Sequence, residues 1–324
     1  MSARTIRLDG SERLDPTQVT QVLALARAAG DADGADPLDE QLLLRLRDDR
    51  TPATHLLAWA EDGTLVGYAN LDTDDPAADA GVALVVHPAY RRQGTGRALA
   101  QELLARPTPG REVSAFAAGA TPQAVPSRPV RAWAHGDHPS AAALAVGLGF
   151  RRARVLWQLR RPLTAPLSEP RLPNGVTLRT FVPGVDDEAW LALNARAFAD
   201  HPEQGRWTID DLRVRLAEPW FDAAGFLLAE ESATGRLLGF HWTKVHERPG
   251  SASIGEVYVL GVEPSAHGGG LGRALTTAGL AYLREQRGLD RVMLYVDESN
   301  TGAVALYQRL GFARWSAHVH YQRD

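Results

Sequence analysis

A chain of 324 residues with 44% hydrophobic side chains is long enough for two domains, each with its own core. Its formal charge of −4 supplies no basic field for a phosphate polymer, which argues against nucleic acid as a partner. With no cysteine, disulfides, thiolate metal sites and an acyl-cysteine intermediate are excluded, so any acyl transfer must be direct.

In chain order, a short apolar-alternating segment, Thr5 to Leu8, precedes a helical stretch from Pro16 to Ala29. Leu56 to Leu71 reads as a β-hairpin turning at Asp62-Gly63. Ala80 to Arg97, AGVALVVHPAYRRQGTGR, reads as a strand, a proline and a glycine-rich turn that enters a helix. A proline-rich stretch from Arg106 to Pro129 is expected to be a surface loop. A further strand and helix then stop at Leu148-Gly149-Phe150, with glycine as the left-handed cap.

The same order then repeats. Thr177 to Phe181 and Asp186 to Phe198 match the opening strand and helix, and Phe226 to Lys244 the hairpin, turning near Thr234-Gly235. Glu256 to Arg273, EVYVLGVEPSAHGGGLGR, matches the strand and glycine turn, and Leu310-Gly311-Phe312 the stop. Arg160 to Gly175 is proline-rich, lacks periodicity and reads as a linker. The expected organisation is therefore a domain over 1–160, a linker over 161–175 and a second domain over 176–324. No apolar run could span a bilayer and MSARTIRLDG lacks a signal-peptide core, so a cytoplasmic protein without membrane contact is expected.

A strand that ends in a glycine turn and opens a helix suits an anion. The helix's first amide N–H groups have no intrahelical partner, the macrodipole adds partial positive charge, and glycine lets backbone approach closely. Together these make a pyrophosphate cradle. With its preceding Val-x-Pro strand, present twice, the pattern resembles the GNAT superfamily of acyl-CoA-dependent N-acyltransferases over nearly the whole chain. The resemblance implies an α/β fold of two tandem GNAT-type domains, each a mixed, twisted sheet flanked by helices, and acetyl-CoA as co-substrate. It places Leu84, Val85, Val86, Arg92, Gln93, Gly94, Thr95, Gly96 and Arg97 at one coenzyme site. It places Leu260, Gly261, Val262, His267, Gly268, Gly269, Gly270, Leu271, Gly272 and Arg273 at the other. The second turn departs from the family's usual Gln/Arg-Arg-Arg-Gly, so binding there is expected to rely less on side-chain charge.

The two copies differ where chemistry would occur. Aligned on the valine-proline strands, Glu256 stands opposite Ala80; aligned on Leu-Gly-Phe, Tyr307 stands opposite Ala145 and Asn300 opposite His138. Singly, a glutamate at a strand start reads as an edge charge and a helical tyrosine as packing. Together in one copy they point to a general base, Glu256, and a general acid, Tyr307, for acetylating an amine in the second domain.

LLGFHWTKVHERPG, GEVYVLGVEP, LYVDESNTGAVALYQRLGF and AFADHPEQGRWT closely resemble the mycothiol synthase family within that superfamily. The resemblance implies acetylation of the cysteinyl amine of a cysteinyl-glucosamine-inositol conjugate, with a first domain that holds coenzyme without catalysing. It implies acceptor contacts from Glu203, Lys244, Glu256 and Tyr295, with Glu40 from the first domain. It also brings Asn300, Thr301, Gly302, Ala303, Val304 and Ala305 near the coenzyme's reactive end. Lys244 is the single lysine of the chain. The ten histidines show no metal-ligand spacing, so no metal is expected, and His135, His138, His318 and His320 are read as structural. A small-molecule thiol precursor is the expected partner, with a monomer whose two domains mimic a pseudo-symmetric pair. Two other readings stay open: acetylation of a different amine, such as a peptide N-terminus or an aminoglycoside, and a coenzyme A-sensing module without turnover.

Overall fold

The structure is a computed structural model, and it describes residues 6–47, 53–73, 79–106, 128–165, 167–247 and 252–324. Nearly all of the proline-rich stretch from Arg106 to Pro129 lies outside the described residues.

The first repeat runs β1 (Ile6–Ser11), α1 (Pro16–Asp33), α2 (Glu40–Arg47), β2 (Thr54–Ala60), β3 (Leu65–Asp72), β4 (Ala80–Val86), α3 (Thr95–Leu104), β5 (Val130–Ala134), α4 (Pro139–Gly147) and β6 (Arg151–Pro162). A capping box starts α1: the Asp15 carboxylate accepts from the Gln18 amide, and the Gln18 side chain accepts from the Asp15 amide. The apolar period fades at Ala29, yet the helix continues to Asp33 because the residue that turns left-handed is Gly34, at φ 70°. β1 to β4 pair antiparallel in sequence order, and β4 then lies parallel to β5.

The second repeat follows the same plan: β7 (Val176–Thr180), α5 (Asp187–Ala197), α6 (Pro202–Gly205), α7 (Ile209–Leu216), β8 (Phe226–Glu231), β9 (Leu237–His246), β10 (Ile254–Val262), α8 (Leu271–Glu285), β11 (Arg291–Asp297), α9 (Thr301–Arg309) and β12 (Ala313–Arg323). β7 to β10 pair antiparallel and β10 lies parallel to β11. The hairpin glycines Gly63 and Gly235 and the stop glycines Gly149 and Gly311 all have φ between 72° and 86°, as a left-handed position requires.

The compact units follow the chain differently from the repeats. One runs to Leu156 and includes Ser316–Asp324; the other is Trp157–Trp315. In the first unit, Val319–Arg323 of β12 pair antiparallel with β5, and Val319 and Tyr321 are buried with Leu56 and Leu99. In the second, Leu159 of β6 is buried against Val292 and Leu294 of β11. The linker read from the sequence contributes to this second unit: Leu163 is buried there, its amide donating to the Asp290 carbonyl at 2.7 Å. Prolines break periodicity, and so hide such docking, without preventing a leucine from reaching a core.

In each unit helices cover both faces of the strands. In the second unit α8 and α9 supply Leu280, Leu283, Val304 and Tyr307 to one side, and α5 and α7 supply Trp190, Leu193 and Leu212 to the other. The aromatic cluster there stacks Trp242 on Phe226 with centroids 4.4 Å apart.

Candidate active site

The sheet of the second unit opens where its strands turn parallel. β10 and β11 are in register at Gly255–Val257 with Val292–Leu294, and among the described residues no further register pairs join them, although β10 continues to Val262 and β11 to Asp297. At the same point the pairing of β10 with β9 shifts between Val257 and Val259. That is a bulge at Tyr258, which bends the strand and increases its twist. The result is a cleft between two strands, with backbone along its sides. The first unit has the same opening: among the described residues β4 and β5 are in register over Ala80–Val82 and Val130–Ala132 alone.

At the end of β10 lies the glycine turn. Gly270, at φ 85°, precedes α8 and no side-chain bond caps that helix, so its first amide N–H groups are available to an anion. The unusual composition of this turn has a structural counterpart in the first copy. Arg91 donates from Nε to the Val86 carbonyl at 3.1 Å; in the second copy His267 Nε2 lies 3.1 Å from the Val262 carbonyl, the same strut built from imidazole. Arg92 then sits at φ 61° and its equivalent Gly268 at φ 82°. A left-handed non-glycine residue costs roughly 1–2 kcal/mol, so glycine relieves strain there. Gly94, at φ 92°, repeats the geometry before α3. Beside the second turn a hollow is lined by Gly270, Arg273 and Thr277, with Ser168, Glu169 and Arg171 from the linker. Arg161 and Arg309 line the adjoining hollow with Arg273. This cationic wall was not legible in the sequence, because it joins segments far apart in the chain.

Glu256 stands on β10 just before the strands part, opposite Lys244 on β9 and Met293 on β11. Its carboxylate Oε2 lies 2.6 Å from His246 Nε2. The ammonium of Lys244 lies 4.3 Å from the ring centroid of Trp220 and 5.0 Å from that of Tyr258, two cation–π contacts that fix a flexible side chain. Tyr295, two residues beyond Met293 and so on the same face as Glu256, accepts from Gln158 Nε2 at 2.7 Å, while Gln158 Oε1 accepts from Arg160 at 2.8 Å. Sequence reasoning singled out Glu256, Lys244 and Tyr295 but missed His246, Trp220, Tyr258 and Gln158. For His246 a signal was present: it follows Lys244 at the strand period of two.

Tyr307 approaches from the other face. It is buried on α9 with Val257, Leu294 and Val304, and stacks edge-on against Phe312 at 5.7 Å. Burial pushes its phenol up to about 12, so the hydroxyl keeps its proton at neutral pH. Asn300 caps α9, its Oδ1 accepting from the Ala303 amide at 3.1 Å, and Thr301 to Ala305 form the first turn. Neighbouring residues of a strand point to opposite faces, so Glu256 and Val257, which shares a buried cluster with Tyr307, lie on opposite faces where β10 and β11 separate. In the first unit the equivalent Ala80 is fully buried in the core and Ala145 is packed against it; neither can carry a proton. Glu40 opens α2 of the first unit. Glu203 lies in α6, and its side chain lies outside the described residues.

Among the described residues there is no group of three or more His, Asp or Glu that could hold a metal ion, and no helix long and apolar enough to cross a membrane.

A model of the acetyltransferase (GNAT) family matches residues 21–110 and 189–312, one stretch in each repeat. The mycothiol acetyltransferase of Salinispora arenicola is 71% identical over 100% of this chain and 98% of its own. That of Thermobispora bispora is 53% identical over 98% of this chain and 100% of its own. The chain belongs to the mycothiol acetyltransferase family. This membership accounts for both the doubled glycine turn and the shared motifs. Among solved structures, a GCN5-related N-acetyltransferase from Sphaerobacter thermophilus superposes with a TM-score of 0.68 at 26% identity, covering 98% of this chain and 95% of that one. A tandem GNAT protein from the clavulanic acid biosynthesis pathway gives 0.70 at 24% identity over 98% of each chain, and shares the fold. This chain thus has the tandem GNAT architecture expected from its repeats.

Proposed function

We propose that the protein transfers the acetyl group of acetyl-CoA to the cysteinyl amine of 1D-myo-inositol 2-(L-cysteinylamino)-2-deoxy-glucopyranoside, giving mycothiol and coenzyme A. The observation that carries this reading is the pair Glu256 and Tyr307 beside the opening of β10 and β11, in a family whose members have the matching name. The open strand edge at Leu260–Val262, the uncapped α8 start and the Arg161–Arg273–Arg309 wall suit a pantetheine arm, a pyrophosphate and further anionic groups, in that order outward. When bound, acetyl-CoA supplies an activated thioester.

Glu256 takes a proton from the acceptor ammonium, freeing the nitrogen lone pair to attack the acetyl carbon, and passes that proton on to solvent. As the C–N bond forms and the C–S bond breaks, the Tyr307 hydroxyl protonates the departing thiolate. The nitrogen's second proton leaves as the amide forms and restores the phenol, so each turnover releases one proton. Each proton-transferring group contributes about 10²–10⁴-fold. Lys244 and Tyr295 hydrogen-bond the many hydroxyls of the acceptor, with Glu203 and Glu40 as further contacts. The region over 1–160 binds a second coenzyme without catalysing, since Ala80 and Ala145 replace the titratable pair, and 176–324 carries the chemistry.

Mass spectrometry of the product from the cysteinyl-glucosamine-inositol acceptor and acetyl-CoA tests this directly. The expected product carries one added acetyl on nitrogen. Faster thiol release with a peptide N-terminus or an aminoglycoside would reassign the acceptor. No thiol release with any amine would leave a coenzyme-binding module.

A further inference from the structure

The reading of Glu256 as the base raises the question of what keeps a buried carboxylate ready to accept a proton. Its side chain is 8% exposed. A buried carboxylate needs a fixed hydrogen-bond partner to hold one orientation, and an N–H donor can supply it.

His246 is such a donor. On β9 it stands opposite Ile254, and Glu256 stands opposite Lys244, so His246 and Glu256 form a diagonal pair on one face of two antiparallel strands. The Nε2–Oε2 distance of 2.6 Å suits a charge-assisted bond. The bond engages Oε2. The imidazole is 31% exposed. The charged residues nearest His246 in sequence are Lys244 on β9, which stands opposite Glu256, and Glu247, directly after His246. Glu247 itself lies 4.0 Å from Arg287.

We infer that His246 is a positioning residue for the acetyl transfer: its Nε2–H holds Glu256 as an oriented carboxylate, so that one oxygen remains to take the acceptor's proton. The inference rests on the assignment of Glu256 as base and adds a second residue that acts through it.

The test is steady-state kinetics of the full chain, with acetyl-CoA and the cysteinyl-glucosamine-inositol acceptor. His246→Phe removes the donor and frees the Glu256 carboxylate to rotate. kcat falls by about tenfold, the value of one lost charge-assisted hydrogen bond, while the KM for acetyl-CoA stays near its wild-type value. His246→Gln, which keeps an N–H donor, recovers most of the rate. His246→Ala serves the same purpose if the phenylalanine variant does not fold. A Glu256→Gln, His246→Phe double variant should be no slower than Glu256→Gln alone. Wild-type kcat in both His246→Phe and His246→Ala would overturn the inference while leaving Glu256 as base. Wild-type turnover in Glu256→Gln would instead remove the base assignment, and this inference with it.

Discussion

A carboxylate and a phenol are ordinary residues until their surroundings give them work. Glu256 is buried beside an imidazole, and Tyr307 is buried among Val257, Leu294 and Val304 with its proton held to about pH 12. If they are base and acid, Glu256→Gln and Tyr307→Phe should each lower kcat at least about tenfold, with folding unchanged, since each leaves the side chain's shape nearly intact. Steady-state kinetics at neutral pH checks this, and wild-type kcat in both would remove the assignment. Lys244 is held over Trp220 and Tyr258, which orders its ammonium. Lys244→Ala should raise the acceptor KM by about tenfold, the value of one lost charged hydrogen bond, and leave the acetyl-CoA KM in place. Equal KM values for the acceptor would exclude Lys244 as a contact.

At the scale of elements, the glycine turns show how two different strings build one shape. Arg91 and His267 reach the carbonyl of the last strand residue by different side chains, and the next position is left-handed in both. Gly270 is left-handed as well and has open space where a Cβ would lie, so its glycine is required by backbone conformation and not by crowding. Gly270→Ala should therefore cost roughly 1–2 kcal/mol of local strain and weaken acetyl-CoA binding by about tenfold, measured by calorimetric titration, with a smaller change in melting temperature than a core substitution gives. Unaltered affinity would show that the α8 start does not hold the coenzyme. Elsewhere on α8, Gly279 lies under the buried ring of His241, leaving no space for a side chain, and His241 Nδ1 bonds the Leu275 carbonyl at 2.7 Å. Here crowding sets the residue.

For the whole molecule, acid sensitivity is written into both units. Burial pushes His241 of the second unit down to about 4. In the first unit His135 is pushed down to about 4 by burial against a small opposing effect of Asp36, and His318 to about 4 by burial and the neighbouring His135. The two rings meet Nδ1 to Nδ1 at 2.7 Å, an arrangement in which one must donate and the other accept. Unfolded histidine takes up its proton near pH 6.5. Between about 6.5 and about 4 the unfolded chain therefore binds more protons than the native one, and stability falls as pH falls through that window. Melting temperature should drop between pH 7 and pH 5, and His135→Gln with His318→Gln should flatten the slope. A melting temperature constant over that range would contradict the neutral assignment of these rings.

Much of this protein was readable from neighbours in the chain. The two copies, the hairpins, the glycine caps and the loss of Glu256 and Tyr307 from the first copy depend on periods of two or on left-handed glycines, and those are local properties of a few residues. What the tertiary structure alone decided depends on register and on segments distant in sequence. β12 lies beside β5 in the first unit, and nothing in an alternating strand states its partner, because exchanging two similar strands leaves the apolar pattern unchanged. The same holds for the bulge at Tyr258, the approach of His246 to Glu256 and the seat of Lys244 on Trp220. Each needs a cross-strand alignment or a long-range contact, which only the closed packing of sheet and helices selects.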